Sequence, residues 1–200
     1  MISPGEEKAW EILRGLDPVI VCKNASVRFD HISNRFNVPS FSRDFLVDID
    51  NKTIKCTDPA GDDILLRYGY FFIHCCIWYL IHAKDIPFTG RLVKPINIKG
   101  GETFFQGSHT LPLNNLAHRY GDKRESFLQK GMELGAEQLE YGDCSIRLLP
   151  MPRMPVILIL WLSDEEFPSR ADLLLDSSCV LQLPLDIIWS FAMLSLLVMM

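Results

Sequence analysis

The sequence lacks a cluster of basic residues. It has 20 Lys and Arg against 25 Asp and Glu, which gives a formal net charge of -5. Proteins that bind nucleic acid by neutralising its phosphates usually concentrate Lys and Arg on one face. The acidic balance and the missing basic cluster therefore argue against a nucleic-acid-binding protein.

Paired cysteine motifs are absent as well. None of the six cysteines belongs to a C-x-x-C pair, and two of them, Cys75 and Cys76, are adjacent within an apolar run. Disulfide frameworks use spaced cysteines in small secreted chains. We therefore expect free thiols in a reducing compartment and predict a cytoplasmic protein.

The sequence also has little that indicates a signal peptide or a membrane-spanning segment. Residues 1–7 have no basic region followed by an apolar one, so we expect no signal peptide. The longest apolar run, residues 187–200, has about 14 residues, whereas a bilayer span needs about 20. Hydrophobic residues make up 48% and charged residues 22%, as in soluble globular domains. We therefore expect no membrane span.

The order of predicted elements indicates one α+β domain over residues 1–200. A short amphipathic helix at residues 6–16 precedes a stretch, residues 26–56, in which apolar and polar residues alternate in four short runs. Such alternation is typical of an antiparallel sheet with one wet face. Two hundred residues are enough for one substantial core, and no repeat or linker divides them. Residues 19–22 fit a strand or a helical turn equally well.

The longest predicted helix begins at Asp62 or Asp63 and ends near Ala83. Almost every position from 64 to 81 is apolar or aromatic, so this helix has little polar face and is predicted to be buried and central. Two surface helices are predicted at residues 113–120 and 123–134. The second of these places Phe127, Leu128 and Met132 on one side.

The last third of the chain is predicted to form strands and one helix. The expected strands cover residues 144–149, 156–162, 173–175 and 179–181, and a further strand is expected earlier in the chain, at residues 89–93. Pro150 and Pro152 are predicted to separate strand 144–149 from strand 156–162. A C-terminal helix follows, with Pro184 near its first turn. The sheet is expected to be mainly antiparallel.

Several short motifs occur in an order that resembles a known family. They are Tyr79-Leu80, Phe88-Thr89-Gly90, Lys99-Gly100-Gly101, Asn114 to Gly121, Gly142-Asp143, Leu149-Pro150, Trp161 to Pro168 and Leu175-Asp176. The chain resembles the bacterial and archaeal domain-of-unknown-function family 3786, and the W-x-x-D-E-E-F-P motif is the most specific part. The resemblance implies a soluble protein, found largely in anaerobes and sometimes beside iron–sulfur-type modules. It implies no activity and no catalytic residue.

An acidic turn follows the most apolar predicted strand. Asp164, Glu165 and Glu166 there, with Asp176 at the end of the next strand, are able to hold a hard cation or to supply a carboxylate for acid–base catalysis. We take the three acids of the turn as candidate catalytic residues. In the alternative interpretation, Asp164 caps a short turn and the two glutamates face water.

The residues of a second candidate site are suited to binding an anion. Gly100 and Gly101 are able to present backbone N–H groups to a phosphate or carboxylate, with Lys99 or Arg91 adding positive charge. A lone glycine pair lacks the spacing of the known phosphate-binding loops, and an ordinary turn explains it as well. Trp161 and Asp176 complete the predicted ligand-binding set. Arg153 is the other candidate for contacting an anionic substrate.

A third candidate site is built on the long helix. His74, Cys75 and His82 are candidate metal ligands, although Cys75 and His82 lie about 10 Å apart along a helix, too far for one tetrahedral zinc. Further ligands would have to come from His109, His118 or Cys144. Aromatic residues on the same helix are able to line a cavity for a tetrapyrrole with His74 or His82 as axial ligand. Core packing explains the same residues.

Three functional hypotheses follow from these patterns. The first is a ligand-binding or accessory protein that holds a small molecule, including a metal-containing or tetrapyrrole-type cofactor of anaerobic metabolism, between the long helix and the sheet. The second is an enzyme that uses the acidic turn for proton transfer. The third is an interaction subunit or homodimer that associates through the apolar C-terminal helix. The residues identify no particular cofactor.

Overall fold

The computed structural model describes residues 3–200 and shows an α+β fold, as predicted. The helices are α1 (Pro4–Arg14), α2 (Pro18–Ala25), α3 (Pro59–His82), α4 (Gly101–Phe104), α5 (Leu113–Tyr120), α6 (Arg124–Glu133), α7 (Cys179–Gln182) and α8 (Leu185–Met199). The strands are β1 (Arg28–Asp30), β2 (Arg35–Ser40), β3 (Arg43–Asp48), β4 (Thr53–Cys56), β5 (Leu92–Val93), β6 (Glu137–Leu139), β7 (Cys144–Met151), β8 (Met154–Trp161) and β9 (Arg170–Asp176).

The first sheet is the predicted meander, with strand order β1-β2-β3-β4 and antiparallel pairing throughout. Its alternating pattern buries one face, on which Phe36 lies opposite Val47 and Val38 lies opposite Phe45. The turn after β3 is fixed by Asp48, whose carboxylate accepts hydrogen bonds from Asn51 and Arg35. These bonds, against a smaller opposing effect of burial, lower the pKa of Asp48 to about 2.

The second sheet has the order β5-β9-β8-β7-β6 and is also antiparallel. Its central strand β8 is buried along nearly its whole length because elements cover both faces. The prediction that Pro150 ends the preceding strand is wrong, because β7 continues to Met151. Pro150 lies where the pairing register shifts between Leu148 and Met151, a position at which the missing N–H costs no ladder hydrogen bond.

Helices α3 and α8 pack along each other between the sheets. Helix α3 contacts β3 and β4 of the first sheet, whereas α8 contacts β7 and β8 of the second. The tip of the β2–β3 hairpin joins the sheets directly, because the Phe41 N–H donates to the Leu149 carbonyl and the Ser40 hydroxyl donates to the Pro150 carbonyl.

Helix α3 is confirmed as the long helix, but only one side of it is buried. Leu66 and Tyr70 are 86% and 74% exposed, and the helical backbone is broken at Tyr68. By length and composition alone this is the one helix of the described residues that is long and apolar enough to cross a membrane, a test that core helices of soluble proteins also pass. The exposed apolar surface that was expected on α8 is instead found on α3.

Helix α8 is buried, which removes the basis for the predicted partner surface there. Its side chains include the fully buried Phe191, Leu194 and Leu196, and the large apolar residues that are exposed in the described chain all lie outside α8. The apolar side chains of α8 pack into the core of the same chain, where each buried leucine or phenylalanine stabilises the fold by about 1.5–3 kcal/mol.

Local hydrogen bonds decide the alternative left open at residues 19–22 and two departures from the predictions. Residues 19–22 are helical, because Asp17 caps the Val19 N–H and Pro18 occupies the first position of α2. The predicted strand 179–181 is instead the short helix α7, which begins at the turn that Asp176 holds through the Ser178 N–H. The strand predicted at 89–93 is reduced to two residues, since the N–H groups of Thr89 and Gly90 bind that same carboxylate.

Two smaller predictions also differ from the structure. Met132 is 66% exposed rather than on the buried side of α6. Strand β6 was not predicted, because three residues with an exposed flank carry too short a pattern to be recognised.

The hydroxyl of Tyr79 connects three segments in the core. It donates a hydrogen bond to the Ala25 carbonyl at 2.6 Å and accepts one from the Arg153 N–H at 3.1 Å. The side chain is fully buried, so water cannot replace either bond, and burial raises the pKa of the hydroxyl well above its ordinary value. Tyr79 therefore fixes the end of α2 and the β7–β8 turn against α3.

We expect Tyr79→Phe to lower the free energy of unfolding by about 1–3 kcal/mol, because it leaves a buried carbonyl and a buried N–H without a partner. Urea denaturation followed by circular dichroism measures the change. Tyr141→Phe, at a tyrosine that is 46% exposed, is the matched control and should change stability by less than about 0.5 kcal/mol. Equal effects of the two substitutions would contradict this role of Tyr79.

Candidate functional site

The acidic turn faces solvent. Asp164 closes it, because its carboxylate accepts hydrogen bonds from the Glu166 N–H at 2.9 Å and the Phe167 N–H at 2.7 Å. Glu165 and Glu166 are exposed. Water surrounds the two glutamates, so neither lies in the dry environment that acid–base catalysis commonly uses. The capping interpretation describes Asp164. Asp164 and Trp161 line the same depression of about 550 Å³, and acid–base catalysis by this turn remains a prediction.

Asp176 is buried and acts as a clamp between two loops. Its carboxylate accepts hydrogen bonds from the N–H and hydroxyl of Thr89 at 3.1 and 3.0 Å, from the Gly90 N–H at 2.8 Å and from the Ser178 N–H at 2.9 Å. Burial raises the pKa of Asp176, but the hydrogen bonds from Ser178 and Thr89 together outweigh it and the net pKa is lowered. The carboxylate is thus ionised and already occupied by the protein's own donors.

The glycine pair forms a tight turn. Gly100 has φ of 80°, a conformation that glycine adopts without strain, and a Cβ on Gly101 would lie 2.1 Å from the Pro95 carbonyl oxygen. The helix α4 that follows has only four residues, so its dipole is small. Lys99 and Arg91 are both exposed beside separate turns. The turn interpretation accounts for both glycines.

Trp161 lies at the far end of the second sheet from Asp176. The two residues flank β9, which spans about 20 Å at the usual rise of a strand, because Trp161 pairs with Arg170 at its first residue and Asp176 is its last. The Arg170 guanidinium stacks 3.9 Å from the centre of the indole ring. The predicted ligand-binding set is therefore dispersed over the molecule rather than gathered in one place.

The predicted metal ligands lie in different environments. Cys75 is fully buried, and desolvation raises the pKa of its thiol well above the ordinary value. His74 and His82 are half-buried, and desolvation lowers the pKa of each. Within residues 3–200, no three His, Cys, Asp or Glu side chains come together to hold a metal ion. The structure does not assemble the predicted metal set.

Arg153 is committed to structural contacts. Its guanidinium donates to the Asp85 carboxylate at 2.6 Å and to the Ile86 and Lys23 carbonyls at 3.2 Å. These bonds hold the end of α3, the end of α2 and the β7–β8 turn together. An anionic substrate would have to displace them.

One depression against α3 lies where that helix is broken. We call it the kink cleft, and its volume is about 390 Å³. It is lined by Arg43, Ala60, Asp63, Ile64, Arg67, Tyr68, Lys130, Glu133, Leu134 and Val198. These residues come from β3, α3, α6, the end of α6 and α8, so the cleft exists only in the folded protein.

The break in α3 shapes the cleft. Tyr68 has φ of -129° and ψ of 18°, outside the helical range, and Gly69 follows it. Sharp bends without proline commonly occur beside glycine, where the backbone is least restricted. The bend turns the axis of α3 at the residue whose ring lines the cleft.

The back of the kink cleft is formed by a largely buried arginine. The side chain of Arg43 is 14% exposed, and its guanidinium donates to the Asp58 carboxylate at 3.1 Å, the Phe41 carbonyl at 2.8 Å and the Glu133 carbonyl at 2.7 Å. A guanidinium has five N–H groups, so these three bonds leave two of them without a partner among the described residues.

The rim of the cleft carries loosely paired charges. Arg67 contacts Asp63 at 3.5 Å and Lys130 contacts Glu133 at 3.9 Å, with all four side chains a third or more exposed. Surface pairs of this kind contribute little, about 0–1 kcal/mol, so either cation is free to exchange its partner for a ligand. Arg43 is the third cation of the lining, and it too has a carboxylate partner, Asp58, so the ion pairs of the cleft are balanced in charge.

Of the cleft residues, only Tyr68 belonged to a predicted site, as one of the aromatic residues of the long helix in the tetrapyrrole hypothesis. The others lie far apart in the chain, and no motif joins them. The one signal in the sequence was the Tyr68-Gly69 pair inside an otherwise apolar helix, which marks a place where a helix bends.

We expect Asp176→Asn to lower the free energy of unfolding by about 1–3 kcal/mol at neutral pH, because an amide cannot accept all the hydrogen bonds that converge on the carboxylate. The pKa of Asp176 is lowered on folding, so its contribution is present above the ordinary carboxyl pKa and is lost as pH falls through the lowered value. The difference between wild type and variant should therefore shrink in acid. Urea denaturation at several pH values measures it.

Asp122→Asn, at an exposed carboxylate with only a distant contact to Lys123, is the matched control and should leave the pH dependence unchanged. A stability difference for Asp176→Asn that persists unchanged into acid would argue against the ionised clamp.

Comparison with known proteins supports the family resemblance. The family model described as a domain of unknown function (DUF3786) matches residues 17–197. Comparison with curated proteins finds no match. Comparison with solved structures also finds none. The family match covers both sheets and all of the kink cleft except Val198. The chain therefore belongs to the DUF3786 family, as the motifs from Tyr79 to Asp176 indicated.

Proposed function

We propose that this protein binds a small molecule in the kink cleft and that the ligand combines an anionic group with a compact apolar part. The observation that carries the proposal is the largely buried Arg43 guanidinium at the back of a cleft of about 390 Å³. We therefore propose the kink cleft, which lies against the long helix, as the site of the ligand-binding hypothesis.

The two ends of the cleft suit the two parts of such a ligand. A carboxylate or phosphate is able to accept the remaining N–H groups of Arg43 while Arg67 or Lys130 approaches from the rim. Ile64, Leu134 and Val198 then offer an apolar wall to the rest of the molecule. Ligand sites of proteins commonly join a mostly apolar wall with a few polar groups that fix orientation.

The volume of the cleft favours a ligand smaller than a tetrapyrrole. Ligand pockets usually measure about 300–1,000 Å³, and this one lies at the low end of the range. The histidines considered as axial ligands, His74 and His82, do not line the cleft. A simple organic anion is therefore the chemistry that the lining supports best.

We expect benzoate to bind and benzylamine, which has a similar shape and the opposite charge, to bind much more weakly. Isothermal titration calorimetry with the two compounds and with inorganic phosphate separates the contribution of charge from that of the ring. Native mass spectrometry of freshly purified protein would report a ligand retained from the cell.

We expect Arg67→Gln and Lys130→Gln each to weaken benzoate binding about five- to tenfold, since a partly exposed charge-assisted hydrogen bond contributes about 1 kcal/mol or slightly more. Lys8→Gln, at an exposed cation on α1, is the control and should have no effect. Ala60→Trp adds a large side chain to an exposed position of the lining and should block binding without loss of structure.

The proposal fails if benzoate and benzylamine bind alike, or if Ala60→Trp leaves benzoate binding unchanged while circular dichroism shows a folded protein. The first result would remove the anionic character of the ligand, and the second would place any binding elsewhere.

A further inference from the structure

A second cavity lies against the long helix, about one turn after the bend. Tyr70, His74 and Trp78 follow one another at four-residue spacing and therefore share a face of α3. The rings of Tyr70 and His74 are 6.4 Å apart with planes 7° from parallel, and those of His74 and Trp78 are 6.5 Å apart. With Ser3, Gly5, Glu6 and Asp186 they enclose about 220 Å³, which we call the aromatic pocket.

The charged groups of the aromatic pocket are carboxylates. Glu6 comes from α1 and Asp186 from the first turn of α8, and no Lys or Arg of the described chain lines the cavity. In the described residues, the Asp186 carboxylate has no hydrogen-bond or ion-pair partner, and Glu6 accepts one bond, from the Trp10 indole N–H at 3.3 Å. Within residues 3–200, negative charge thus faces aromatic rings without a counter-charge.

His74 does not supply that counter-charge at neutral pH. Desolvation of the half-buried imidazole lowers its pKa below the ordinary value of 6.5, although the charges of Asp186 and Glu6 act in the opposite direction. The imidazole is therefore mostly neutral and contributes another aromatic face. The other side chains of the pocket that lie beside His74 on α3 are the aromatic rings of Tyr70 and Trp78.

We propose that the aromatic pocket binds an organic ammonium ion. Aromatic faces attract a cation through their quadrupoles, and indole does so most strongly. Two carboxylates that have no cationic partner among residues 3–200 add a favourable charge, and 220 Å³ accommodates a small alkylammonium group. An inorganic cation fits less well, because no three ligating side chains of the described residues converge on one point.

This inference is independent of the proposed function. The two sites take ligands of opposite charge and share no lining residue. Failure of benzoate to bind the kink cleft would leave the ammonium site intact, and failure of ammonium binding would leave the kink cleft intact.

Calorimetric titration of the full chain, with its native N-terminus, tests the proposal. Choline should bind, and its uncharged tert-butyl analogue, in which carbon replaces nitrogen, should bind at least about tenfold more weakly. Ethanolamine in the same assay distinguishes a methylated ammonium ion from a primary one, and either result supports an organic ammonium site. Equal binding of choline and the uncharged analogue would overturn it.

Two substitutions locate the binding. Tyr70→Leu removes an aromatic face that is 74% exposed, and Asp186→Asn removes one carboxylate, so each should weaken choline binding about fivefold. The matched controls are Tyr141→Leu and Asp122→Asn, at an exposed tyrosine and an exposed acid outside the pocket. Thermal melting checks that all four variants are folded. If Tyr70→Leu and Tyr141→Leu bind choline alike, the site is not the aromatic pocket.

The pH dependence supplies a further readout. As pH falls through the lowered pKa of His74, the imidazole becomes positively charged and repels the bound cation. Choline binding should therefore weaken as pH falls below the ordinary histidine value of 6.5, and His74→Gln should remove that loss. A pH profile that is the same in His74→Gln would contradict the proposed position of the cation.

Discussion

The burial of α8 against α3 is the contact on which the rest of the structure depends. An apolar C-terminal helix would aggregate if it were exposed, and the fold avoids this by placing it between α3 and the second sheet. Helix α3 faces the first sheet with Phe72, whose ring lies 4.2 Å from that of Phe45. Each helix thus covers one sheet, and their mutual packing joins the two halves into one core.

That arrangement leaves α3 with a free side, and both proposed sites lie along it. At its first half the helix bends at Tyr68 and opens the kink cleft toward α6. Beyond the bend, aromatic rings on successive turns meet α1 and the start of α8 at the aromatic pocket. The two sites differ in their charged groups, because the first has cations paired with carboxylates whereas α1 and α8 bring only carboxylates of the described residues to the second.

Asp176 and the glycine pair show why a local sequence pattern does not distinguish a binding site from a structural turn. Asp176 is an ionised, hydrogen-bonded carboxylate, and the glycine pair does use a positive φ, yet each serves a turn of the protein itself. A residue type in a turn has the same local pattern whether its donors or acceptors go to a ligand or to a neighbouring loop. Only the three-dimensional partners, such as Thr89 for Asp176, distinguish the two cases.

The sequence by itself determined the α+β class, the meander, the long and C-terminal helices and the family, because periodicity, caps and turn residues act over a few neighbouring positions. Only the tertiary structure decided which apolar helix is exposed and which charges meet. Arg43 and Lys130 come together from distant segments, and so do Glu6 and Asp186. Burial and charge depend on packing between such segments, for which a single sequence contains no local signal.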